Sequence, residues 1–340
     1  NFALSECLSD LLKAEDQLDS IIKSLSRLPG ILTEGEVFNS YGETKFLVCC
    51  ENGIIDLRDG SLSPADPGLL ITKCLPCNYS PEASCPRWLE FLNFIFDENE
   101  ELIQFVQRAL GYSLMGANEA QCMFVMLGEK ARNGKSTFLN AIKQVLGPDY
   151  YEPANASTFT RKPASAKGRV PEDLHRLRTA RFVGVVETEQ NEQLDVALIK
   201  KIAGGDDIVS RTLYKESESY KAPYTVWIAT NHMPAIDSND FGIRRKVWVI
   251  PFEMQIPEER ISPNYQDLLL EEREGILAWM VEGCRQYVEN DFDLDPPDGV
   301  RPAYKAPDLP FKDKVNIFIE TCTEKGMGFS ASKDMLWRTF

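Results

Sequence analysis

The chain has 340 residues, of which 43% are apolar and 26% are charged, a composition typical of globular proteins. Its length predicts two or three domains, since single cores stop growing at about 250–300 residues. No apolar run reaches the roughly 20 residues of a membrane-spanning helix, and no signal peptide opens the chain. We therefore expect a cytoplasmic or nucleoplasmic protein without a membrane partner.

The net charge of −15 is unevenly distributed along the chain. Residues 128–250 carry 19 Lys and Arg against 15 Asp and Glu, whereas the remainder carries 18 against 37. The acidity therefore belongs to the flanks. The mildly basic centre permits contact with phosphates, because local clusters of charge set the field at a site.

Residues 1–115 predict a small mixed domain of helices and a β-hairpin. Leucine and isoleucine recur at helical spacing over residues 4–28 and the pattern stops at Pro29-Gly30, which predicts an amphipathic helix. The segment KFLVCCENGIIDL predicts two short strands joined at Asn52-Gly53, since both residues accept the positive φ of a tight turn. A further helical pattern over residues 102–110 ends near Gly111.

The nine cysteines are scattered, which favours reduced thiols over a disulfide framework. Cys74 and Cys77 have the two-residue gap of a zinc site, and Cys85 follows them. A fourth ligand is lacking nearby, since the two histidines are His175 and His232. Buried thiols are the alternative to a metal at this cluster.

Residues 116–253 predict an α/β core. The runs CMFVML, RFVGVVE and YTVWIATN are apolar throughout, as strands buried on both faces of a parallel sheet are, and helical segments separate them. Residues 254–290 predict a helical subdomain. Residues 291–340 predict a Pro- and Asp-rich linker followed by the start of a winged-helix module.

The stretch GEKARNGKST, residues 128–137, predicts a phosphate-binding loop between a strand and a helix. Such a loop surrounds phosphates with backbone N–H groups, and adds a lysine for the phosphate oxygens and a hydroxyl for Mg²⁺. Five residues separate Gly128 from Gly134, one more than usual. The residues predicted to bind ATP are Asn133, Gly134, Lys135, Ser136 and Thr137, with Ser136, or else Thr137, as the Mg²⁺ ligand.

Polar residues follow the predicted strands where a nucleotide hydrolase needs them. Glu187 and Glu189 come after RFVGVV and are candidates to hold Mg²⁺ and activate water, although strand ends often carry surface carboxylates. Asn231 ends the next strand and can orient water, or simply start a turn. Arg244 and Arg245 precede a further strand; they suit an arginine finger or a solvated cationic face.

The segment DIVSRTLYKESESYKAPYTVWIATN predicts two strands joined through ESES. Arg211, Lys215 and Lys221 lie on this hairpin and are candidate contacts for DNA phosphates, which need no sequence-specific reading. Glu216 and Glu218, placed at the tip, favour the alternative of a solvated hairpin.

Taken in order, these segments resemble the helicase portion of superfamily three helicases, of the phage and plasmid primase-helicase type that includes poxvirus-like relatives. The resemblance is carried by ENGIIDLRDGSLSPADPGLLITKCLPCNYSPEASCPRW and FVQRALGYSLMG ahead of the loop. It continues through NGKSTFLNAI, DLHRLRTARFVGVVETE, IKKIAGGDDIVSRTLY, IATNHMP and RRKVWVIPF. The ordered set is more specific than any single motif.

The resemblance implies roles for particular residues. Lys135 and Ser136 would bind phosphate and Mg²⁺, Glu187 would be the Walker B glutamate, and Asn231 would sense the γ-phosphate. A contribution of Glu189 to the metal stays open. The arginine finger would be Arg245, or else Arg244, acting on the ATP of a neighbouring subunit.

The resemblance also implies an AAA+-like P-loop ATPase core and a homo-oligomeric ring, usually a hexamer, that acts on single-stranded and forked DNA in replication. It further implies a primase or primase-polymerase domain in the same chain, and a location in the host cytosol or at a viral replication site. Two alternatives remain at this point. One is an AAA+ ATPase that remodels protein, and the other is a ring that binds nucleotide without hydrolysis and loads or tethers replication proteins.

Overall fold

A computed structural model of the chain describes residues 42–161, 173–186, 193–211, 217–234, 241–260, 262, 264–298 and 300. The helix predicted for residues 4–28 and the winged-helix start lie outside these residues. Within them, no helix combines the length and the apolar character needed to cross a membrane.

The described chain begins with a small antiparallel sheet and two helices. After a 3-10 turn (Gly42–Phe46) come β1 (Leu47–Cys50), β2 (Gly53–Asp56) and β3 (Ser61–Ser63), paired in that order, and a second 3-10 turn (Pro67–Leu69). The helices are α1 (Pro86–Ile95) and α2 (Glu100–Tyr112). The predicted hairpin and the helix ending near Gly111 are thus confirmed.

The turn of the hairpin differs from the prediction by one residue. Cys50 pairs with Gly53, so the two-residue turn is Glu51-Asn52 and Gly53 opens β2. A side chain at Gly53, where φ is +152°, would collide with the carbonyl of Ser63 on β3. The Asn52 amide instead binds both the backbone N–H and the carbonyl of Tyr79, at 2.9 and 2.8 Å. Asn52 therefore fastens a distant loop rather than supplying positive φ.

The centre of the protein is a five-stranded sheet in which every pairing is parallel. Its strands, in chain order, are β4 (Met123–Leu127), β5 (Tyr151–Ala154), β6 (Phe182–Val186), β9 (Thr225–Thr230) and β10 (Val247–Pro251). In space the order is β10, β4, β9, β6, β5. The first strand therefore lies inside the sheet, between the last two.

The segments between and after these strands are mostly helical. They are α3 (Lys135–Tyr150), α4 (Ala156–Phe159), α5 (Asp173–Leu177), α6 (Val196–Gly204) and α7 (Phe241–Arg244), then a 3-10 turn (Glu258–Arg260), α8 (Tyr265–Glu271) and α9 (Arg273–Glu289). The α/β core and the helical region after it agree with the prediction. A separate hairpin consists of β7 (Ile208–Arg211) and β8 (Ser217–Tyr220).

Each face of the central sheet packs into its own hydrophobic cluster, which explains the continuous apolar runs in the sequence. Along β4, Phe124 and Met126 belong to one cluster, and Met123 and Val125 belong to the other. Alternate side chains of a strand point to opposite faces, so a strand buried on both sides is apolar at most of its positions.

The first cluster joins the regions before and after the core. It contains residues of α2 and of α9, which pack side by side, together with one face of the sheet. The described part of the predicted linker packs here too: Arg108 of α2 donates to the carbonyl groups of Leu294 and Asp295, and Leu294 and Val300 are buried.

Candidate functional site

A cavity of about 860 Å³ lies at the carboxyl ends of β4, β6 and β9. Carboxyl ends of parallel strands are where open α/β sheets bind ligands. The structure places six predicted residues around this cavity: Asn133, Gly134, Lys135, Ser136, Thr137 and Asn231. Val186, the last residue of β6, lines it as well. Glu187 and Glu189 lie outside the described residues.

The loop between β4 and α3 contains two residues with a left-handed backbone conformation. Arg132 has φ +62° and Gly134 has φ +84°, both in the left-handed region. A side chain on Gly134 would come within 2.9 Å of Ile95. Gly128 has a different role: a Cβ there would collide with the amide of Asn133, which itself donates to Lys130 O at 2.7 Å.

The segment after β10 holds this loop from outside the sheet. Phe252 N donates to Leu127 O, and Ile256 N donates to Arg132 O, both at 2.7 Å. The Arg132 guanidinium lies 2.6 Å from the Glu258 carboxylate. Both side chains are mostly exposed, so the backbone bonds rather than this ion pair define the path of the loop.

Lys135 is a buried cation held by uncharged oxygens. Its Nζ donates to Gly128 O at 3.0 Å and to the amide oxygens of Asn133 and Asn231, both at 2.9 Å. The residue is 7% exposed, and burial lowers the pKa of its ammonium group to about 8. Within the part of the chain that the structure describes, Lys135 has no carboxylate partner. A polyanion in the cavity would satisfy this charge.

The first turn of α3 also faces the cavity. The first bond of this helix runs from Phe138 N to Gly134 O, so the N–H groups of Lys135, Ser136 and Thr137 have no partner within the helix. Such a helix start attracts anions, because N–H groups and the helix dipole act together. Ser136 is exposed within the cavity wall, whereas Thr137 is half-buried. This favours Ser136 as the hydroxyl ligand.

Part of the cavity wall is aromatic, and the sequence reasoning missed it. This part of the wall consists of Phe91 and Phe94 of α1, Ile256, Arg260 and Tyr265. The Arg260 guanidinium carbon lies 4.6 Å from the centroid of the Phe94 ring, and the rings of Phe91 and Tyr265 lie 6.1 Å apart. Flat rings and a guanidinium plane suit a heterocyclic base. The only local signal was the aromatic spacing of α1, which also fits an ordinary core.

Arg245 lies at the amino ends of the strands, on the side of the sheet away from the cavity. It precedes β10, whose first residue, Val247, pairs with Met123 at the start of β4. Five residues of strand, about 16 Å, separate these amino ends from the phosphate loop. Arg245 is exposed, and the side chain of Arg244 lies outside the described part of the structure. Lys246 is buried, donating to Gln121 and to Ala203 O, and is structural.

The β7–β8 hairpin forms, but its residues are distributed differently from the prediction. Glu218 pairs with Ser210 inside the ladder, so the ESES segment lies largely in β8 and Glu218 is not at the tip. Lys221 is exposed and follows β8 at the open end of the hairpin. Lys215 and the side chain of Arg211 lie outside the described residues, so their contact with DNA stays a prediction.

The cysteines at 74, 77 and 85 are thiols. Cys77 and Cys85 are buried, and Cys74 is half-buried with its sulfur 3.6 Å from that of Cys49. Burial raises the pKa of the thiols of Cys74, Cys77 and Cys85 to about 12. In the described ranges, no group of three or more His, Cys, Asp or Glu is arranged to hold a metal ion.

Comparison with known proteins matches two family models. Residues 33–97 match the family described as "D5 N terminal like", and residues 126–245 match a "Family of unknown function (DUF5906)". The second range contains the phosphate loop, Asn231 and the arginines at 244 and 245.

Among curated proteins, the chain is similar to several from viruses. It is 28% identical to "Putative helicase L207/L206" of Acanthamoeba polyphaga mimivirus over 62% of this chain and 22% of that protein. It is 24% identical to "Putative helicase 184R" of Invertebrate iridescent virus 6 over 75% and 26%, respectively. A shorter match, 28% over 34% of this chain and 12% of that protein, is to "Putative primase C962R" of African swine fever virus.

The chain thus spans about a quarter of the length of the helicases it matches. Among solved structures, "The apo structure of NrS-1 C terminal region (305-718)" has a TM-score of 0.47 and 11% identity, over 64% of this chain and 55% of that one. The matches to the D5-like family and to the viral proteins confirm the resemblance drawn from the motifs at the level of the family: the chain is similar to viral proteins named as putative helicases.

Proposed function

We propose that this chain is the motor part of an ATP-dependent DNA helicase, which assembles as a homo-oligomeric ring, hexameric by its resemblance, and translocates on single-stranded DNA during replication. The observation that carries the proposal is the buried ammonium group of Lys135, which meets Asn231 at the start of α3 in an 860 Å³ cavity. The names of the viral relatives supply the helicase part of the proposal.

The residues of the cavity fit a nucleoside triphosphate. The N–H groups at the start of α3 and the Lys135 ammonium bind the β- and γ-phosphates, and the aromatic residues of the cavity wall bind the base. Ser136, with Glu187 and Glu189, would hold Mg²⁺, which neutralises charge on the phosphate oxygens. Glu187, next after the last residue of β6, activates the attacking water, and Asn231 contacts the terminal phosphate.

A second subunit completes the site. Arg245 is exposed, and the length of one strand, about 16 Å, separates its end of the sheet from the phosphate loop of its own chain. In a ring it would act on the ATP of a neighbour, where an arginine stabilises charge during phosphoryl transfer. The proposal predicts that a monomer hydrolyses ATP poorly.

The test of the proposal is ATP turnover with and without single-stranded DNA, together with strand separation on a forked duplex. Lys135→Ala removes the buried charge and should abolish both activities. Lys143→Ala, at an exposed position of the same helix, is the matched control and should leave them unchanged. A wild-type protein that neither responds to DNA nor separates strands contradicts the helicase proposal. Nucleotide-driven assembly without hydrolysis would instead favour a switch.

The shared site and the DNA contact have their own tests. Rings mixed from Lys135→Ala and Arg245→Ala subunits should regain part of the turnover, because a site is intact wherever the loop of an Arg245→Ala subunit meets the arginine of a Lys135→Ala subunit. No recovery would argue against a site between subunits. Replacing Lys215 and Lys221 by Ala should reduce DNA-stimulated turnover more than basal turnover, and an equal loss in both would contradict a role in DNA binding.

A further inference from the structure

The turn that carries Asn231 is closed by the side chain of the residue before it. Thr230, the last residue of β9, donates from its hydroxyl to His232 O at 2.8 Å, and the same oxygen accepts from His232 N at 3.2 Å. Thr230 is 2% exposed. The two bonds form a closed loop around Asn231, so the backbone there has little freedom to rotate.

The backbone of Thr230 also reaches the phosphate loop. The Thr230 carbonyl accepts from Gly128 N at 3.2 Å, and Thr230 lies opposite Leu127 in the pairing of β9 with β4. One buried residue therefore contacts both the start of the phosphate loop and the turn that presents Asn231. A shift of Thr230 would change the distance between the two halves of the site.

The orientation of the Asn231 amide follows from its bond to Lys135. An ammonium group only donates, so the atom 2.9 Å from Lys135 Nζ must be the amide oxygen. The amide nitrogen is then directed away from Lys135, with two N–H groups to offer. In a site that binds a triphosphate, a donor beside the lysine meets the terminal phosphate, where charge changes during transfer.

We propose that Thr230 is a positioning residue for phosphoryl transfer: its hydroxyl fixes the Asn231 turn so that the amide N–H groups meet the terminal phosphate. This rests on the proposed function, since it assigns a second residue to the same site. Thr230 also lines the cavity, but the proposal gives it no catalytic contact of its own. Its effect passes through Asn231.

The hydroxyl is the part of Thr230 that the proposal requires. Thr230→Val keeps the branched shape in the buried position and removes both bonds to His232. Thr230→Ser keeps the hydroxyl and removes one methyl group. Because a displacement of about 1 Å in a catalytic group can cost about 100-fold in rate, Thr230→Val should lower kcat about 10- to 100-fold. Its KM for ATP should rise by less than kcat falls, and Thr230→Ser should stay near wild type.

A double-mutant cycle with Asn231→Ala separates positioning from general destabilisation. If Thr230 acts only through Asn231, then Thr230→Val should cause no further loss of kcat in a chain that already lacks the Asn231 amide. Losses that multiply would overturn the proposal, and so would an unchanged kcat in Thr230→Val. Thr230→Ala, which also lacks the hydroxyl, replaces Thr230→Val in the cycle if the valine chain does not fold.

A binding measurement tests the same inference without turnover. The wild-type Tm should rise more with a non-hydrolysable ATP analogue than with ADP, and the difference should shrink equally in Thr230→Val and in Asn231→Ala. If the wild type distinguishes the two nucleotides and Thr230→Val does so equally well, the inference fails while the proposed function stands. If the wild type responds to neither nucleotide, the proposed function fails and the inference falls with it.

Discussion

Raising the pH should weaken ATP binding through Lys135. In the nucleotide-free protein, burial holds the pKa of this ammonium group at about 8, below its usual 10.5. Phosphate oxygens in contact with the lysine would raise this pKa again, because they favour the charged form. Well below pH 8 the lysine is protonated with or without nucleotide, and the affinity should be flat. Above pH 8 binding must take up a proton, so the affinity should fall.

The size of the effect follows from the pKa. With a free pKa of about 8 and a bound pKa well above 9, the affinity falls towards a limit of about tenfold per pH unit. Between pH 7.5 and pH 9 the expected loss is about eightfold, or roughly 1.2 kcal/mol. Phosphate groups lose their last proton near pH 6, so the charge of the ligand stays constant over this range.

Titration calorimetry with ATP and Mg²⁺, at constant ionic strength and at pH 7.5, 8, 8.5 and 9, measures this slope. Lys135→Arg is the matched control, because a guanidinium stays protonated throughout. Its affinity should be lower overall but flat with pH. A wild-type affinity that is as flat as that of the arginine variant would refute the reasoning, and the lysine would then not bind the phosphates as a desolvated cation.

Three further predictions concern the framework of the site. Glu272→Gln should lower the free energy of unfolding in urea by about 1 kcal/mol, because the Glu272 carboxylate accepts from the first two backbone N–H groups of α1, each at 3.1 Å. The control is Glu271→Gln, at an exposed ion pair, which should change the free energy of unfolding by less than about 0.5 kcal/mol. Gly134→Ala should abolish binding of a fluorescent nucleotide, because a side chain there would collide with its neighbours. The control is Gly205→Ala, at a similar φ but in open space, which should keep nucleotide binding and lower the stability of the protein by about 1 kcal/mol. Equal nucleotide binding by the two variants would contradict this prediction. Arg181→Met should lower the free energy of unfolding by about 3 kcal/mol, because the buried guanidinium donates to two carbonyl groups at 2.7 and 2.8 Å. A loss of stability below about 1 kcal/mol would be inconsistent with that role.

The sequence predicted those parts of the core that have a local signal. The strands β4, β6 and β9 are buried on both faces, so each is a continuous apolar run that needs no knowledge of its neighbours. β5 was not predicted. Its sequence, Tyr-Glu-Pro-Ala, has little strand character, and Pro153 is tolerated because β5 lies at the edge of the sheet. Its pairing comes from the tertiary structure.

The candidate site was predicted only on its phosphate side. Lys135 and Asn231 belong to motifs with fixed spacing from a strand, and the structure brings their side chains to 2.9 Å. The aromatic residues of the wall come from α1, and Arg260 and Tyr265 lie beside them. These two residues follow α1 by about 170 residues in the sequence, and neither group belongs to a motif. Their spacing in the sequence also fits an ordinary core. Asn52 shows the same limit, since its long-range bonds to Tyr79 outweigh its local preference for a turn.

The order in which the walls of the cavity are synthesised has a consequence for the cell. The aromatic residues of α1 emerge from the ribosome first, the phosphate loop follows, and Ile256, Arg260 and Tyr265 come last. At about 5–20 residues per second, roughly 10–30 s separate the first wall from the last. A ligand stabilises only the chains that can bind it. Under the proposed function, ATP therefore protects finished chains and leaves nascent ones exposed to chaperones and proteases, so nucleotide supply would act on quality control as well as on the motor.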